Sequence, residues 1–399
     1  MLAMTTLPER ANTSIQLRSR VHANEQEDEM TTETATTPLA SRYEAPALVP
    51  RSLDTYRLLG RSGLRVSPLA LGTMTFGPDW GWGAGRNEAR SMFDTYVERG
   101  GNFIDTANNY TGGTSERLVG ETARGRRERL VIATKYSCFT RAGDPNSGGN
   151  HRKSMIASVE SSLKRLQTDY IDLLYLHVWD GTTPVEEIMR GLDDLVRTGK
   201  VLYVGISDTP AWQVARMQAI AELRGWAPLI ALQIEYSLIE RTGERDLIPM
   251  ARELGLGVLP WSPLAKGVLT GKYVRSDLDH TDATETRRSI AQGSGLLSER
   301  GLTIAEVVRE LAAEIGHTPA QVALAWTLLN PAVTAPIIGA RTVAQLEDNL
   351  GALEVSFTDE ERARLEVASA IDLGFPHELL KRPRTRRHVF DGTRLENHT

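Results

Sequence analysis

Short apolar runs alternate with longer amphipathic stretches over most of this chain. Eight of these runs are apolar on both faces and several are rich in β-branched residues, which is typical of parallel strands buried on both sides. Most begin about thirty residues after the preceding run, the length of one β-α unit. The predicted strands lie at 69–71, 103–104, 130–134, 171–176, 201–206, 230–234, 257–260 and 335–338.

The stretches between the runs have helical periodicity. Residues 87–99 and 153–166 place apolar side chains three and four positions apart, so each predicts a helix with one buried face. Further helices are predicted at 185–196, 211–223, 304–315, 320–329 and 359–369.

Eight strands with intervening helices favour a (β/α)8 barrel over a doubly wound sheet. The doubly wound sheet usually carries a Gly-x-Gly-x-x-Gly turn after its first strand, and the sequence GTMTFG at 72–77 does not match it. Residues 56–67 read as a hairpin that could plug the bottom of the barrel. The predicted fold class is therefore α/β, a TIM barrel with an N-terminal hairpin plug and extra C-terminal helices.

Composition divides the chain into three parts. Residues 1–53 contain no glycine and a single aromatic residue, so they cannot bury enough apolar area to offset chain entropy. We expect a disordered N-terminal extension there, the barrel at 54–371 and a C-terminal tail at 372–399, which contains a short basic run.

Charge and cysteine content narrow the class of protein. The chain holds 46 Lys and Arg against 51 Asp and Glu, a net charge of −5, so neither a nucleic acid nor an anionic membrane is indicated as a partner. No apolar run reaches the roughly 18 residues needed to span a bilayer, and the N-terminus lacks a secretory pattern. A cytoplasmic protein is expected. A single cysteine, Cys138, excludes a disulfide framework, and no metal-ligand cluster is present in the sequence.

Polar side chains follow three consecutive predicted strands. Asp105 and Tyr110 come after the second strand, Lys135 ends the third and His177 follows the fourth. Active sites of these barrels lie on the loops after the strands, so we expect the four side chains to meet at one pole. Taken singly, each is more often a packing, capping or solvated residue.

Together, a carboxylate, a phenol, an ammonium and an imidazole suit carbonyl reduction. A phenol has an ordinary pKa near 10, and an adjacent ammonium favours the phenolate and lowers that pKa. Tyr110 would be the general acid and Lys135 the group that adjusts its pKa. Asp105 would keep Lys135 charged, and His177 would donate a hydrogen bond that orients the carbonyl oxygen.

The local sequence around these residues resembles that of the aldo-keto reductases. The matching strings are GNFIDTA at 101–107 followed by Tyr110, ATK at 133–135, DYIDLLYLH at 169–177, GKVLYVGIS at 199–207 and WSPLA at 261–265. The resemblance covers roughly residues 54–371, and SDTPAW at 207–212 is similar to the aryl-alcohol dehydrogenase-like branch, which includes polyketide ketoreductases. It implies a catalytic tetrad of Asp105, Tyr110, Lys135 and His177, and NADP(H) bound across the barrel mouth.

The resemblance also implies which residues hold the cofactor. The positions near the nicotinamide and its carboxamide would be Gly72, Thr73, Met74, Asp105, Ser207, Asp208 and Gln233, with Trp261 stacked on the ring. Many family members have asparagine where Asp208 stands. The pyrophosphate would lie along Ser262, Pro263, Leu264, Ala265, Gly267 and Lys272, and the adenosine end along Gly339, Arg341, Gln345, Asp348 and Asn349. A charge at Arg341 suits a 2′-phosphate and favours NADP over NAD, although Arg341 could instead be a solvated surface charge.

The leading hypothesis is NADPH-dependent reduction of aldehyde or ketone carbonyls, chiefly aromatic ones, to alcohols. The small-molecule substrate would contact Tyr110, His177, Trp80, Trp82, Phe139 and Trp179. The four additional aromatics could instead only pack on the barrel rim. Two alternatives stay open: a sugar or polyketide ketoreductase of a biosynthetic pathway, and a cofactor-sensing regulatory subunit.

Overall fold

The computed structural model of the protein describes residues 52–280 and 286–393. An antiparallel hairpin comes first, with β1 at Arg57–Leu58 and β2 at Arg65–Val66. The eight strands that follow are β3 (Ala70–Gly72), β4 (Phe103–Asp105), β5 (Val131–Tyr136), β6 (Ile171–Leu176), β7 (Val201–Ser207), β8 (Leu229–Glu235), β9 (Gly257–Trp261) and β10 (Ile337–Gly339). The stretch predicted as a disordered extension lies outside the described residues, except for its last two positions.

The eight strands form one parallel sheet that is nearly closed. Consecutive strands pair from β3 to β9, and β10 pairs with β3. On the other side, the residues before β10 reach β9: the Thr334 amide donates to the Val258 carbonyl at 2.8 Å, and the Val258 amide donates to the Ala332 carbonyl at 3.0 Å. This is a (β/α)8 barrel, which confirms the predicted fold class.

Helices lie between and after the strands. They are α1 (Arg86–Glu98), α2 (Thr114–Ala123), α3 (Arg152–Leu166), α4 (Val185–Arg197), α5 (Ala211–Arg224), α6 (Leu247–Leu254), α7 (Arg287–Gly293), α8 (Glu299–Ile315), α9 (Pro319–Leu328), α10 (Val343–Leu350), α11 (Asp359–Ser369), α12 (His377–Lys381) and α13 (Pro383–Phe390). The last two, α12 and α13, lie within the predicted C-terminal tail. In the described part of the chain, every helix is too short or too polar to cross a membrane.

The core has two layers because side chains alternate along each strand. Along β6, Leu173 and Tyr175 belong to the cluster inside the barrel, whereas Leu174 belongs to the outer cluster between the sheet and the helices. The interior cluster also receives Leu59 and Val66 from the hairpin, and both are fully buried.

The hairpin closes the end of the barrel at which the strands begin. The amide of Arg61 at its turn donates to the Gly255 carbonyl at 2.8 Å, two residues before β9 starts. Gly60 has a φ of +55°, and a Cβ there would lie 2.2 Å from the Ile230 carbonyl oxygen, so only glycine fits this approach. The strands finish at the opposite end of the barrel, where Asp105, Lys135 and His177 lie.

Candidate active site

Neighbouring strands carry the four predicted catalytic residues to the same end of the barrel. Asp105 is the last residue of β4, and Tyr110 begins a short 3-10 helix five residues later. Lys135 is the fifth residue of β5, and His177 directly follows β6. Because β4, β5 and β6 are consecutive in the sheet, the barrel brings the four side chains together.

The Lys135 ammonium has a hydrogen-bond acceptor for each of its three protons. It donates to Asp105 Oδ1 at 2.5 Å, to the Thr106 carbonyl at 2.8 Å and to the Tyr110 hydroxyl at 3.1 Å. The other carboxylate oxygen, Asp105 Oδ2, accepts from Gln233 Nε2 at 2.9 Å. Only 1% of Lys135 and 2% of Asp105 is exposed, so this ion pair lies in a low-dielectric interior where its geometry is strongly held.

The protonation states of Lys135 and Tyr110 follow from their surroundings. Burial alone would lower the pKa of Lys135, but the Asp105 carboxylate and the Tyr110 phenol raise it above its ordinary value. Burial raises the pKa of Tyr110, and Lys135 only partly opposes that rise. The sequence predicts that the ammonium lowers the phenol pKa. Lys135 does act in that direction, but the desolvation of the phenol has the larger effect. Tyr110 is therefore protonated at neutral pH, as a proton donor must be.

His177 completes the group. Its ring stands edge-on to the Tyr110 ring with 5.9 Å between centroids. Burial, reinforced by the charge of Lys135, lowers the pKa of His177 to about 3, so its imidazole is neutral. A neutral imidazole can donate from one nitrogen and accept at the other.

A cleft of about 700 Å³ opens over these residues. Asp105, Tyr110 and His177 line it, while Lys135 lies beneath them. The predicted cofactor positions that line it are Gly72, Met74, Asp105, Ser207, Asp208, Gln233, Trp261, Ser262, Pro263, Leu264, Gly267, Lys272, Gly339, Arg341, Gln345, Asp348 and Asn349. The remaining two, Thr73 and Ala265, are fully buried, and the Thr73 hydroxyl donates to the Asp105 carbonyl at 2.9 Å.

Three of the predicted nicotinamide contacts have definite environments. Ser207 Oγ is buried near the Asp208 carboxylate and makes no hydrogen bond of ordinary geometry with the residues that the structure describes. Asp208 Oδ1 accepts from the indole nitrogen of Trp261 at 3.0 Å, which orients that ring at the cleft wall. A buried hydroxyl without a well-formed hydrogen bond is costly, so Ser207 Oγ is suited to a polar ligand.

Three cations, Lys272, Arg287 and Arg341, line the cleft. Burial lowers the pKa of Lys272 and of Arg287, and the charge of Arg341 lowers both further. Within residues 52–280 and 286–393, no carboxylate is within ion-pairing distance of any of the three. Mutually repelling cations without a counter-charge are suited to bind an anion such as phosphate.

Sequence reasoning missed Arg287. Its only signal was the pair Arg287-Arg288 within the polar loop 275–300, and the two residues look alike in sequence. The structure separates them: Arg288 pairs with Asp277 at 2.8 Å, whereas Arg287 lines the cleft with its guanidinium 4.9 Å from the centre of the Trp82 ring.

Only part of the predicted substrate wall is near the catalytic group. Trp80 meets the Tyr110 ring edge-on at 6.4 Å, and Trp82 lies 5.6 Å from Trp80. Phe139 is 68% exposed, and Trp179 packs against the outer core cluster. None of these four aromatic residues is among those that line the cleft, although Trp80 borders Tyr110, which does.

Comparison with known proteins places the chain in the aldo/keto reductase family, whose sequence profile matches residues 68–370. The chain is 42% identical to norsolorinic acid reductase of Aspergillus flavus over 342 residues, 83% of this chain and 85% of that protein. It is 38% identical over 354 residues to an NADP(+) aryl-alcohol dehydrogenase of Phanerodontia chrysosporium, covering 82% and 89%. An aryl-alcohol dehydrogenase of Pestalotiopsis microspora is also 38% identical, over 84% and 88%.

The protein is thus an oxidoreductase of the aldo/keto reductase family. Its relatives place it in the aryl-alcohol dehydrogenase-like branch. The family uses nicotinamide cofactors and acts on small-molecule carbonyl substrates.

Proposed function

We propose that this protein reduces aldehyde or ketone carbonyls, chiefly aromatic ones, to alcohols with NADPH, and that Tyr110 is the general acid. The observation that carries the proposal is the Tyr110 hydroxyl, which lies 3.1 Å from the buried Lys135 ammonium and faces the cleft beside a neutral His177. A phenol held beside an ammonium in this way is suited to donate a proton to a carbonyl oxygen.

The residues of the cleft fit NADPH. Ser207 Oγ offers an unused buried partner to the carboxamide, and Trp261 presents an aromatic face whose edge is fixed by Asp208. Lys272, Arg287 and Arg341 supply the positive charge that its phosphates need. The chemistry supplied by the bound cofactor is a hydride for the carbonyl carbon.

The protein's own side chains would donate the proton and stabilise the charges that form. Tyr110 donates its hydroxyl proton to the carbonyl oxygen, and the phenolate left behind is stabilised by the ammonium 3.1 Å away. Asp105 keeps that ammonium charged and in place. His177 donates a second hydrogen bond to the same oxygen, which stabilises its growing negative charge in the transition state.

The aromatic side chains beside Tyr110 favour a planar substrate. Trp80 lies beside the phenol and Trp82 lies beside Trp80, and flat rings pack well on indole faces. An aromatic polyketide ketone is the second candidate, because norsolorinic acid reductases are among the relatives. The same indole rings make a keto sugar, which is not planar, a poorer fit.

The proposal is tested by following NADPH oxidation with a panel of aryl aldehydes, aryl ketones, keto sugars and quinones. We expect the highest kcat/KM for aryl carbonyls and the lowest for keto sugars. NADPH binding without turnover of any compound would contradict the proposal and favour a cofactor-sensing regulatory subunit. A preference for keto sugars would contradict the substrate class alone.

Arg341→Ala is expected to raise the KM for NADPH about 10- to 100-fold while leaving the KM for NADH almost unchanged. A charge-assisted hydrogen bond to the 2′-phosphate contributes roughly 1.5–3 kcal/mol, and NADH lacks that group. Steady-state kinetics with both cofactors measure the difference. Arg86→Ala, at an exposed ion pair on α1, is the control and should change neither constant. An equal rise for both cofactors would show that Arg341 does not bind the phosphate.

A further inference from the structure

We propose that Cys138 is a positioning residue that keeps the proton of the His177 imidazole on Nε2, so that this nitrogen is the donor to the carbonyl oxygen. The inference rests on the proposed carbonyl reduction, because that reaction needs a hydrogen-bond donor at His177. It adds a role for the chain's one cysteine, which the reaction itself does not consume.

The proposal begins with a contact between two loops. Cys138 lies in the loop after β5 and His177 in the loop after β6, and both residues line the cleft. The cysteine Sγ is 3.4 Å from Nδ1 of the imidazole, within hydrogen-bonding distance for sulfur. Since Nδ1 is occupied by this contact, Nε2 is the nitrogen left for the substrate.

The backbone fixes this contact. Ser137 Oγ accepts from the Val178 amide at 3.0 Å and donates to the Val178 carbonyl at 3.3 Å. The His177 amide donates to the Tyr136 carbonyl at 3.0 Å. Asn108 Nδ2 holds the Cys138 carbonyl at 3.3 Å. The backbone segments that carry the thiol and the imidazole are therefore tied to each other, which keeps the two side chains within reach.

The protonation states decide which group donates. Burial raises the pKa of the Cys138 thiol, an effect that Asp208 reinforces and Lys135 opposes, so the sulfur keeps its proton at neutral pH. Burial and Lys135 lower the pKa of His177 to about 3, so the imidazole is neutral. An unprotonated imidazole nitrogen is a good acceptor and a thiol sulfur is a weak one. The favoured arrangement is S–H donating to Nδ1, which leaves the ring proton on Nε2.

The tautomer matters because the carbonyl oxygen is only an acceptor. With the proton on Nε2, His177 and Tyr110 both donate to that oxygen. With the proton on Nδ1, His177 would turn a lone pair toward the oxygen and oppose its growing negative charge. The wrong tautomer would therefore lower kcat more than it would weaken NADPH binding.

The first test observes the tautomer directly in the full-length chain. Selective ¹⁵N labelling of the eight histidines, with long-range ¹H–¹⁵N correlation spectra, distinguishes protonated from unprotonated ring nitrogens. The signals that disappear in His177→Asn assign the residue. We expect His177 to carry its proton on Nε2 at pH 7. A proton on Nδ1 would overturn the proposal.

The second test compares two variants that differ in one hydroxyl. Cys138→Ala and Cys138→Ser both remove the sulfur, but only serine can donate to Nδ1. We expect Cys138→Ala to lower kcat about two- to tenfold, as for the loss of one hydrogen bond, with little change in the KM for NADPH. Cys138→Ser should recover part of that loss and keep the proton on Nε2. Equal kcat and equal tautomer populations in the two variants would overturn the proposal.

Failure of this inference can be told from failure of the proposed function. The tautomer is measured without substrate, so it does not depend on turnover. Reductase activity with the proton on Nδ1 would refute only the role of Cys138. A proton on Nε2 that is lost in Cys138→Ala but kept in Cys138→Ser, in a chain without reductase activity, would refute only the proposed function.

Discussion

Replacing Tyr110 with phenylalanine is expected to lower kcat for carbonyl reduction by about 10²- to 10⁴-fold, the range contributed by a positioned general acid. The substitution removes the proton that the carbonyl oxygen must receive, and it also removes the phenolate that Lys135 would stabilise at 3.1 Å. The aromatic ring stays against Trp80, so the shape of the cleft is kept. Single-turnover NADPH oxidation with an aryl aldehyde measures the loss of chemistry.

NADPH affinity is the internal control for this variant, because Tyr110 is not among the residues proposed to hold the phosphates. A fluorescence titration should give the same Kd for Tyr110→Phe and the unaltered chain. Tyr136→Phe is a matched control: it also removes a buried phenol hydroxyl, one that donates to the Asn150 carbonyl at 3.3 Å in the outer core. Full turnover in Tyr110→Phe would refute the assignment of the general acid.

The sequence alone was sufficient to predict the barrel fold and the proximity of the four polar side chains. Strands buried on both faces leave a continuous apolar signal, and a barrel brings the ends of such strands together at one pole. Asp105 and Lys135 could therefore be predicted as neighbours although thirty positions separate them. The hairpin plug was also predictable, because the Arg-Ser-Gly turn at 61–63 interrupts two short extended segments.

Properties that depend on packing across the fold could not be predicted. The net rise in the pKa of Tyr110 comes from burial, which the local sequence does not encode. Arg287 and Arg288 are adjacent on α7 but point in different directions: Arg288 pairs with Asp277, whereas Arg287 lines the cleft. The contact between Cys138 and His177 joins loops 39 positions apart in the chain, so the cysteine had no visible partner in the sequence.

The buried ion pair is the site of the second large expected effect. Asp105→Asn should lower the free energy of unfolding by about 3–5 kcal/mol at pH 7, because it leaves the Lys135 ammonium buried without a carboxylate. Turnover should fall sharply in the same variant, since the charge beside Tyr110 is no longer held. Urea denaturation followed by far-ultraviolet circular dichroism measures the first effect, and NADPH oxidation measures the second.

The expected pH dependence has a definite sign. In the unaltered chain the pKa of Lys135 is raised, so its contribution to stability is complete below the ordinary lysine pKa of about 10.4 and is lost only as the pH rises through the raised value. In Asp105→Asn, burial lowers the pKa of Lys135 and charging the amine destabilises the fold. The stability difference between the two proteins should therefore shrink from pH 7 to pH 9.5.

A double substitution separates the structural role of the pair from its chemical role. Asp105→Asn combined with Lys135→Met removes both charges and keeps similar volumes, so most of the lost stability should return. Turnover should stay as low as in Asp105→Asn, because no ammonium remains to stabilise the Tyr110 phenolate. Recovery of turnover along with stability would show that the pair only maintains the fold. A double variant as unstable as the single one would show that the penalty does not arise from an unpaired charge.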